Sequence, residues 1–584
     1  MPVASSLQER LSKLRSVNPR ELRSRVPDRA TLKQDGIAGL ISGIVNLPGE
    51  MASAVLAGVN PIYAINTLIV GMPLAGMLTS TKMMMFDTTS AMTLVAADGL
   101  GSRSGDDRAQ ALIVIALTAG IFQIVLGMLG MGQLTRFVSN SVMTGFMSGV
   151  AVMIILGQLW DITGYQGEGG SKLEKTWQLL AHPGQIDVPT TIVGVGSLIL
   201  MAVLQRTKLA NFNLLIGLAA AMLAAWIFRL FDSDSIALVK GLGAIPRQIP
   251  LPDMPELRLI PSFILAGVAV GSVGLIQSAG IAQQFPNPGG KESDDSRDFL
   301  AQGVANTTVS MFAGMPGGGS LSATALNVSV GAKTRWTFIF QALIALMLVL
   351  AFSDLLGLIP MAALAAMLIL IGAESIRFRT INAVTNSTLQ STIGMIATFV
   401  ATLIIPLQQA VVLGVILAAV LYIYRSSSDI RIFKVEENEQ GVSEVDPPKD
   451  LPSDDVTVLD VYGSLFYAGA RTLGKLLPSP EHAHHAVVVL RVRGRSEIGT
   501  TFLDVVSRYA ERVTTNGGKL LLSGIEPELK DRMERTGHLS RIGEENVFVA
   551  TSFLGESTRA AFDAGNAWLA TFKVDHPGQG SADA

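Results

Sequence analysis

MPGGGSLSATALNVSVGAKT, residues Met315–Thr334, decides how the rest of this chain is read. It lies inside a run without formal charge that extends from Phe299 to Ala332. The glycines 317–319 break the pattern, and a short segment of small and hydroxylated residues follows. The pattern predicts a short helix that begins in the middle of a hydrophobic layer. The first-turn N–H groups of such a helix have no preceding turn to bond, and the positive end of its dipole points into low-dielectric surroundings, where an anion is the natural partner. A second reading stays open on these residues alone: Gly317–Ser320 as a flexible loop, with the small residues serving close helix packing.

Working outward, only 16% of the 584 residues are charged and the mean hydropathy is +0.44. Several uncharged runs exceed the roughly 20 residues needed to cross a bilayer, so the chain reads as a polytopic membrane protein. The first 34 residues are basic, with Arg10, Lys13, Arg15, Arg20, Arg23, Arg25, Arg29 and Lys33 against Glu9, Glu21 and Asp28. This arm is expected on the cytoplasmic side, and it is too long and too charged before the first apolar run to be a cleaved signal peptide. The absence of cysteine excludes disulfides, thiol catalysis and thiolate metal sites.

From Gly36 to Ala97 the only charges are Glu50, Lys82 and Asp87. Two long helices are expected there, about 36–57 and 61–79, with a kink at Pro48 and a shorter segment after Asp87. Uncharged runs at 109–135, 137–160, 189–205 and 209–228 follow, with Arg136 at a tight turn. A mixed linker, 229–258, carries Pro246, Pro250, Pro252 and Pro255. The second half reads 259–285, 299–314, 320–331, 336–353, 356–373 and the uncharged run 380–424, long enough for two crossings hinged near Pro406. The total is about 14 segments, and an odd number per half would invert the second half relative to the first. Thr88-Thr89-Ser90-Ala91-Met92 faintly echoes Ser320-Leu321-Ser322-Ala323-Thr324, each in the third segment of its half. Inverted-repeat transporters place their discontinuous helices there, with N-termini aimed at each other across the midplane.

The expected domains are a basic arm 1–34, a transmembrane domain 35–425, a charged linker 426–455, a soluble domain 456–572 and a tail 573–584. In the soluble part Val456–Tyr462, Ala486–Val492, Lys519–Ser523 and Asn546–Ala550 read as strands, with helices near 467–477, 500–513, 526–535 and 555–570. That alternation gives a small α/β domain.

Three stretches carry a resemblance to the SulP family of anion transporters, also called solute carrier family twenty-six, with a C-terminal STAS domain. They are PGEMASAVLAGVNPIY (Pro48–Tyr63), QGVANTTVSMFAGMPGGGSLSATA (Gln302–Ala325) and GIEPELKDRMERTGHLSRIGEENVF (Gly524–Phe548). With the order of segments, the likeness covers nearly the whole chain. It implies an α-helical polytopic membrane protein with a 7+7 inverted repeat divided into core and gate, and a small cytoplasmic α/β STAS domain. It also implies an anion held between the N-termini of the third and tenth transmembrane helices, here near Asp87–Ser90 and Ser320–Ser322.

The candidate substrate-binding residues are Asp87, Thr88, Thr89, Ser90, Ser320, Leu321, Ser322, Ala323, Thr324 and Gln277, and the candidate coupling or gating residues are Glu50 and Asp87. Backbone N–H groups near Ser320, Leu321 and Ser322, with the hydroxyls of Ser320, Ser322 and Thr324, replace part of an anion's hydration shell. Many members of the resembled family carry Arg where this chain has Ala323, and the cation-linked members carry an acid where it has Gln277. The site then relies on dipoles, and a neutral amide neither titrates nor neutralises a cation. Intramembrane carboxylates are functional candidates because burying them is costly. For Asp87 the competing role is an ordinary N-cap; for Glu50 the choices are a cavity or a pair with Lys82, which otherwise snorkels at the boundary.

In the soluble domain Arg495–Thr500 stands where related domains carry a phosphorylatable Ser, but the pattern is poorly kept. A helix start capped by Thr500 or Thr501 is expected, in a dimerisation and trafficking module. For His482, His484 and His485, in a loop after Pro478 and Pro480, exposed histidines are expected rather than a metal site.

The expected function is secondary transport of sulfate, bicarbonate or a dicarboxylate by alternating access. The expected partners are a small anion, a coupled proton, the lipid bilayer of the inner cell membrane and a second copy of the chain, with both termini cytoplasmic and no cofactor or nucleic acid. The rivals are a nucleobase permease of the same plan, which wants acids in the eighth and tenth helices, and a membrane-anchored signalling protein. No nucleophile–base pair or metal spacing points to an enzyme.

Overall fold

The computed structural model describes residues 27–132, 139–167, 171–231, 236–287, 290–407 and 499–574, residues 430–494 except 440, 464, 466 and 467, and single positions between 409 and 424. Residues 1–26 of the basic arm, Arg136 and Arg495–Ile498 lie outside the described residues. The chain forms two compact units, 1–418 and 419–584.

In the first unit the helices are α1 (Arg29–Leu56), α2 (Ile62–Leu78), α3 (Ser90–Gly99), α4 (Gly105–Met128), α5 (Asn140–Thr163), α6 (Lys172–Ala181), α7 (Val188–Leu204) and α8 (Asn213–Arg229). After the proline-bearing linker come α9 (Ile260–Gln284), α10 (Asp295–Ser310), α11 (Leu321–Ser329), α12 (Trp336–Gly357), α13 (Met361–Ser375), α14 (Phe378–Thr385) and α15 (Leu389–Ile404). Among the described residues seven helices are long and apolar enough to span a membrane, and α2, α7 and α15 are shorter apolar ones. Asp28 caps α1, accepting from the N–H of Ala30 and Thr31 at 3.2 and 3.4 Å.

Several expected boundaries move. α1 starts at Arg29, seven residues before the expected 36, and runs through Pro48 to Leu56. The irregularity falls in α2, where Thr67–Gly71 forms a π-helical turn. The run 380–424 begins with the separate amphipathic helix α14, and α15 ends at Ile404, two residues before Pro406; most of the expected second crossing lies outside the described residues.

The helices pack in two groups. α1–α4 pack with α9–α12, and α5, α7 and α8 pack with α13 and α15, and the groups meet where α13 and α8 pack on α1 and α3 packs on α5. Small residues permit the close approach. A Cβ on Gly120 would lie 2.6 Å from Thr307 N, and one on Gly145 would lie 2.2 Å from Met395 O. Within the first group two short strands, β1 (Met85–Asp87) and β2 (Gly318–Ser320), pair antiparallel in the interior.

The second unit is a six-stranded sheet in the order β4-β3-β5-β6-β7-β8, with β5 (Val456–Tyr462), β6 (Val487–Arg491), β7 (Lys519–Ile525) and β8 (Val547–Val549) parallel. Successive side chains on a strand point to opposite faces. Val456, Val458, Val487, Val489 and Leu521 therefore pack on α20 (Glu556–Val574). The alternate residues, among them Leu459, Val461, Val488, Leu490, Leu520 and Leu522, pack on α16 (Ala468–Leu476), α17 (Thr500–Thr515), α18 (Pro527–Arg535) and α19 (His538–Ile542). Apolar residues on both faces are what a helix-covered parallel sheet needs. The stretch expected as a charged linker contains a hairpin, β3 (Arg431–Asn438) and β4 (Gly441–Val445), which adds to the sheet edge through β5. α17 starts from Gly499, whose backbone makes the cap position, so neither Thr500 nor Thr501 is the cap.

Candidate functional site

The ladder between β1 and β2 organises the interior of the first unit. Met85 pairs with Ser320, Phe86 with Gly319 and Asp87 with Gly318. The glycines are there for space. A Cβ on Gly317 would lie 2.7 Å from the Phe86 ring, one on Gly318 2.5 Å from Met92 Sδ, and one on Gly319 2.8 Å from Ser278 Oγ. This stretch is therefore strand held in tight packing, where the flexible-loop alternative required open space.

Each strand feeds a short helix. Thr89 is the N-cap of α3 and accepts from Met92 N–H at 3.3 Å; Ser320 is the N-cap of α11 and accepts from Ala323 N–H at 3.4 Å. Because the strands run antiparallel and sit side by side, the first turns of both helices start from one ladder. The N–H groups of Ser90, Ala91, Leu321 and Ser322 occupy those first turns, where no intrahelical acceptor exists.

The hydroxyls divide into engaged and open ones. Thr324, fully buried, donates to Ser320 O at 2.5 Å and accepts from Met85 N–H at 3.0 Å, so it locks α11 to β1. Thr88 donates its hydroxyl and its N–H to the Glu50 carboxylate, and its carbonyl accepts from Ser53 Oγ at 2.8 Å. Thr89 Oγ1 donates to Gln277 Oε1 at 3.0 Å. Ser90, half-buried, and Ser322, exposed, keep their hydroxyls open among the described residues, and Ala323 is buried beside them.

The two carboxylates sit differently from their sequence alternatives. Asp87 is not the cap of α3, a place Thr89 takes; it lies in β1 opposite Gly318. Glu50 is buried and held by Thr88, whereas Lys82 is exposed, and no ion pair joins the two among the described residues. A Thr donor satisfies Glu50 better here than a lysine that reaches water by snorkelling.

The sequence reading missed the residues that hold the ladder in place. Asn306 donates to Gly317 O at 2.8 Å and to Gln123 Oε1 at 2.9 Å, and accepts from Gly317 N–H at 2.8 Å. Asp298, buried, accepts from the hydroxyls of Thr79 and Thr81 at 2.6 and 2.5 Å and from Ser80 N–H, tying the end of α2 to α10. The available signal was a lone Asn and a boundary Asp inside otherwise apolar runs, which names no partner.

In the second unit His482 and His484 are exposed and His485 is half-buried. His485 faces Asp454 at 3.2 Å and stacks on Phe572 at 4.2 Å, and His484 N–H donates to Ser453. Asp460 pairs with Arg491 at 2.5 Å; burial pushes its carboxyl above the ordinary value, with Arg491 opposing.

A model described as the sulfate permease family matches residues 32–397, and a STAS domain model matches 451–552. YvdB of Bacillus subtilis (strain 168), which carries the provisional name of a sulfate transporter, is 24% identical over 521 residues, 88% of this chain and 96% of that one. Bicarbonate transporter BicA of Synechocystis sp. is 21% identical over 489 residues, 81% of this chain and 85% of that one. The solved structure of the murine solute carrier 26 family member A9 anion transporter, in its inward-facing state, has the same fold, with a TM-score of 0.79 at 15% identity over 93% of each chain.

Proposed function

Because this chain belongs to the sulfate permease family of membrane anion transporters, we propose that it carries a small oxyanion or carboxylate across the membrane by alternating access. Sulfate, bicarbonate and a dicarboxylate are the candidates. The observation that carries the reading is the β1–β2 ladder, from which α3 and α11 both start with first-turn N–H groups and the Ser90 and Ser322 hydroxyls open. The names of YvdB and BicA, sulfate and bicarbonate, support the substrate class.

The anion sits between the two helix N-termini, where dipoles and N–H groups replace its hydration without a fixed positive charge. With Ala323 beside the site, binding is modest and release quick. Asp87, Thr88, Thr89, Ser320, Leu321, Thr324 and Gln277 shape the site, and Ser90 and Ser322 touch the anion. The group formed by α1–α4 and α9–α12 carries the site and rocks against the group of α5, α7, α8, α13 and α15.

Glu50 and Asp87 flank the same ladder, and two ionised carboxylates would repel an incoming anion. Protonation of one relieves that repulsion, so anion entry is coupled to proton entry. Gln277 supplies no charge for a sodium ion, and uptake proceeds without sodium. The chain works as a homodimer in the inner membrane, with residues 35–425 as the transport domain and both termini, the basic arm included, in the cytoplasm.

The test is a panel of radiolabelled sulfate, bicarbonate and dicarboxylates in proteoliposomes of the purified protein, under imposed pH and sodium gradients. Uptake of one of them driven by an inward proton gradient is the expected result. A steep sodium requirement overturns the coupling assignment, and partner binding without flux of any anion overturns transport itself.

A further inference from the structure

Three helices of the site-bearing group converge on Asp35, away from the ladder. Fully buried, Asp35 accepts from the N–H groups of Lys333 and Thr334 at 2.7 and 3.1 Å, from the Thr334 hydroxyl and from the Thr337 hydroxyl at 3.3 Å. It thus ties the junction between α11 and α12 to the start of α1. From there α1 and α12 run in step: a Cβ on Gly39 would lie 3.1 Å from Thr337 O, and one on Gly43 3.2 Å from Gln341 O and 3.0 Å from Ile344. α11 packs on α1 as well, and the face it buries carries Ala323, Thr324 and Asn327.

This wedge holds polar side chains that the transport cycle above leaves unused. Ser42, Asn327 and Gln341 are each fully buried, and Asn46 is half-buried. Ser42 Oγ, Asn46 Nδ2, Asn327 Nδ2 and Oδ1, and Gln341 Nε2 and Oε1 have no protein hydrogen-bond partner among the described residues. A buried polar group left unsatisfied is costly, so their concentration on α1 and the two helices packed against it calls for a ligand.

The mixture of groups decides what the ligand is. The set contains three amide NH2 donors, two amide carbonyl acceptors and one hydroxyl. A cation would leave the donors unpaired, and an anion would leave the carbonyls unpaired. Water both donates and accepts, and buried waters of this kind bond two to four polar groups each. On α1 the polar positions Asp35, Ser42, Asn46 and Glu50 follow at intervals near two turns, one turn and one turn, which keeps them on one side of the helix.

We propose that the wedge between α1, α11 and α12 holds a file of buried water that links Asp35 to Glu50 and delivers protons to the site. Fifteen residues of α1 rise roughly 22 Å, too far for side chains to bridge and within reach of a hydrogen-bonded file. In each step an O–H bond of one water breaks as one forms on the next, and the last transfer places the proton on the Glu50 carboxylate. Thr88 donates to Glu50 from the ladder side, and Asp87 is the titratable group that acts on it from β1. The path rests on the proton-coupled reading of Glu50; the water site itself does not.

Two measurements on the full chain in proteoliposomes test this. The first is X-ray radiolytic labelling in oxygen-18 water, which marks side chains beside bound water. Ile344, next to Gly43, is expected to be labelled in the wild type, and Asn327→Leu/Gln341→Leu is expected to lower that label roughly tenfold. The second compares anion-linked proton entry, read with an internal pH dye, with anion–anion counterflow, which needs no net proton. The double variant is expected to lose proton entry roughly tenfold while counterflow stays within about twofold. If it is not recovered folded, Gln341→Leu alone carries the same expectations. An unlabelled Ile344 in the wild type means a dry wedge and overturns the water site. Unchanged proton entry in a double variant that has lost its label, while Glu50→Gln abolishes that entry, overturns the path and leaves the coupling assignment standing. A wild type that moves anion but no proton overturns the coupling assignment and the path together, and the labelling still decides the water site.

Discussion

Replacing Asn306 by Leu tests whether the site depends on the position of β2. Leu nearly conserves volume, so the cavity contribution is small and the effect comes from hydrogen bonds. Asn306 is fully buried and makes three, to Gly317 N–H, Gly317 O and Gln123 Oε1, at 2.8, 2.8 and 2.9 Å. Losing them leaves three buried groups unpaired at about 1–3 kcal/mol each, or roughly 3–6 kcal/mol after partial relaxation. The chain relaxes by moving Gly317, but the Phe86 ring blocks one direction, since a Cβ there would already lie 2.7 Å from it. Movement therefore passes along β2 to the Ser320 cap, three residues on. A displacement of about 1 Å at a positioned group costs on the order of a hundredfold in rate. Asn306→Leu is expected to lower uptake by about that factor and to reduce thermal stability in detergent. Gln123→Leu is the control: Gln123 bonds Asn306 and Gly271 O at 3.2 Å but makes no hydrogen bond to β2 among the described residues, so it loses stability without a comparable loss of uptake. Uptake near wild type in Asn306→Leu, or equal loss in both variants, would refute the clamp.

Ser322→Trp and Ser90→Trp each place an indole where an open hydroxyl faces the helix N-termini, and uptake should fall below about one-hundredth of wild type with expression retained; unchanged uptake in proteoliposomes defeats the site assignment. In the second unit Tyr509 OH donates to Pro478 O at 2.9 Å, and burial holds its hydroxyl protonated well beyond the ordinary range. Tyr509→Phe should therefore cost about 1 kcal/mol at any physiological pH, read as a denaturant midpoint shift of that unit. For Asp460 the folded state binds the proton more tightly than the unfolded chain, whose ordinary value is 3.8. Its contribution to stability is therefore greatest below that value and declines as pH rises through the raised one. Asp460→Asn should flatten that part of the pH–stability curve, and a curve parallel to the wild type would show the carboxyl unperturbed.

Much of the architecture was legible because its signals are local. Uncharged runs long enough to span a bilayer, strands such as Val456–Tyr462, and the Ser-Ala echo in the third segment of each half can all be read without knowing what lies across from them. Other features depended on partners distant in sequence. The hairpin 431–445 was hidden because its charged residues read as linker, and only pairing with β5 makes it sheet. Asp87 and Glu50 were visible as costly charges, but their neighbours were not.

Read alone, the residues were enough to establish that this chain crosses a membrane many times, contains an α/β domain and starts a short helix after the glycine break at Ser320. These follow from composition and from the backbone's need to bond itself where water is absent. Only the tertiary structure decided that Met85–Asp87 pairs with Gly318–Ser320, so that two helices more than 200 residues apart begin at one ladder. It also decided that Thr88 rather than Lys82 holds Glu50, and that Asn306 fastens Gly317. The reason is physical: a hydrogen bond or a steric limit belongs to a pair of groups, and the sequence specifies each member without specifying which ones meet.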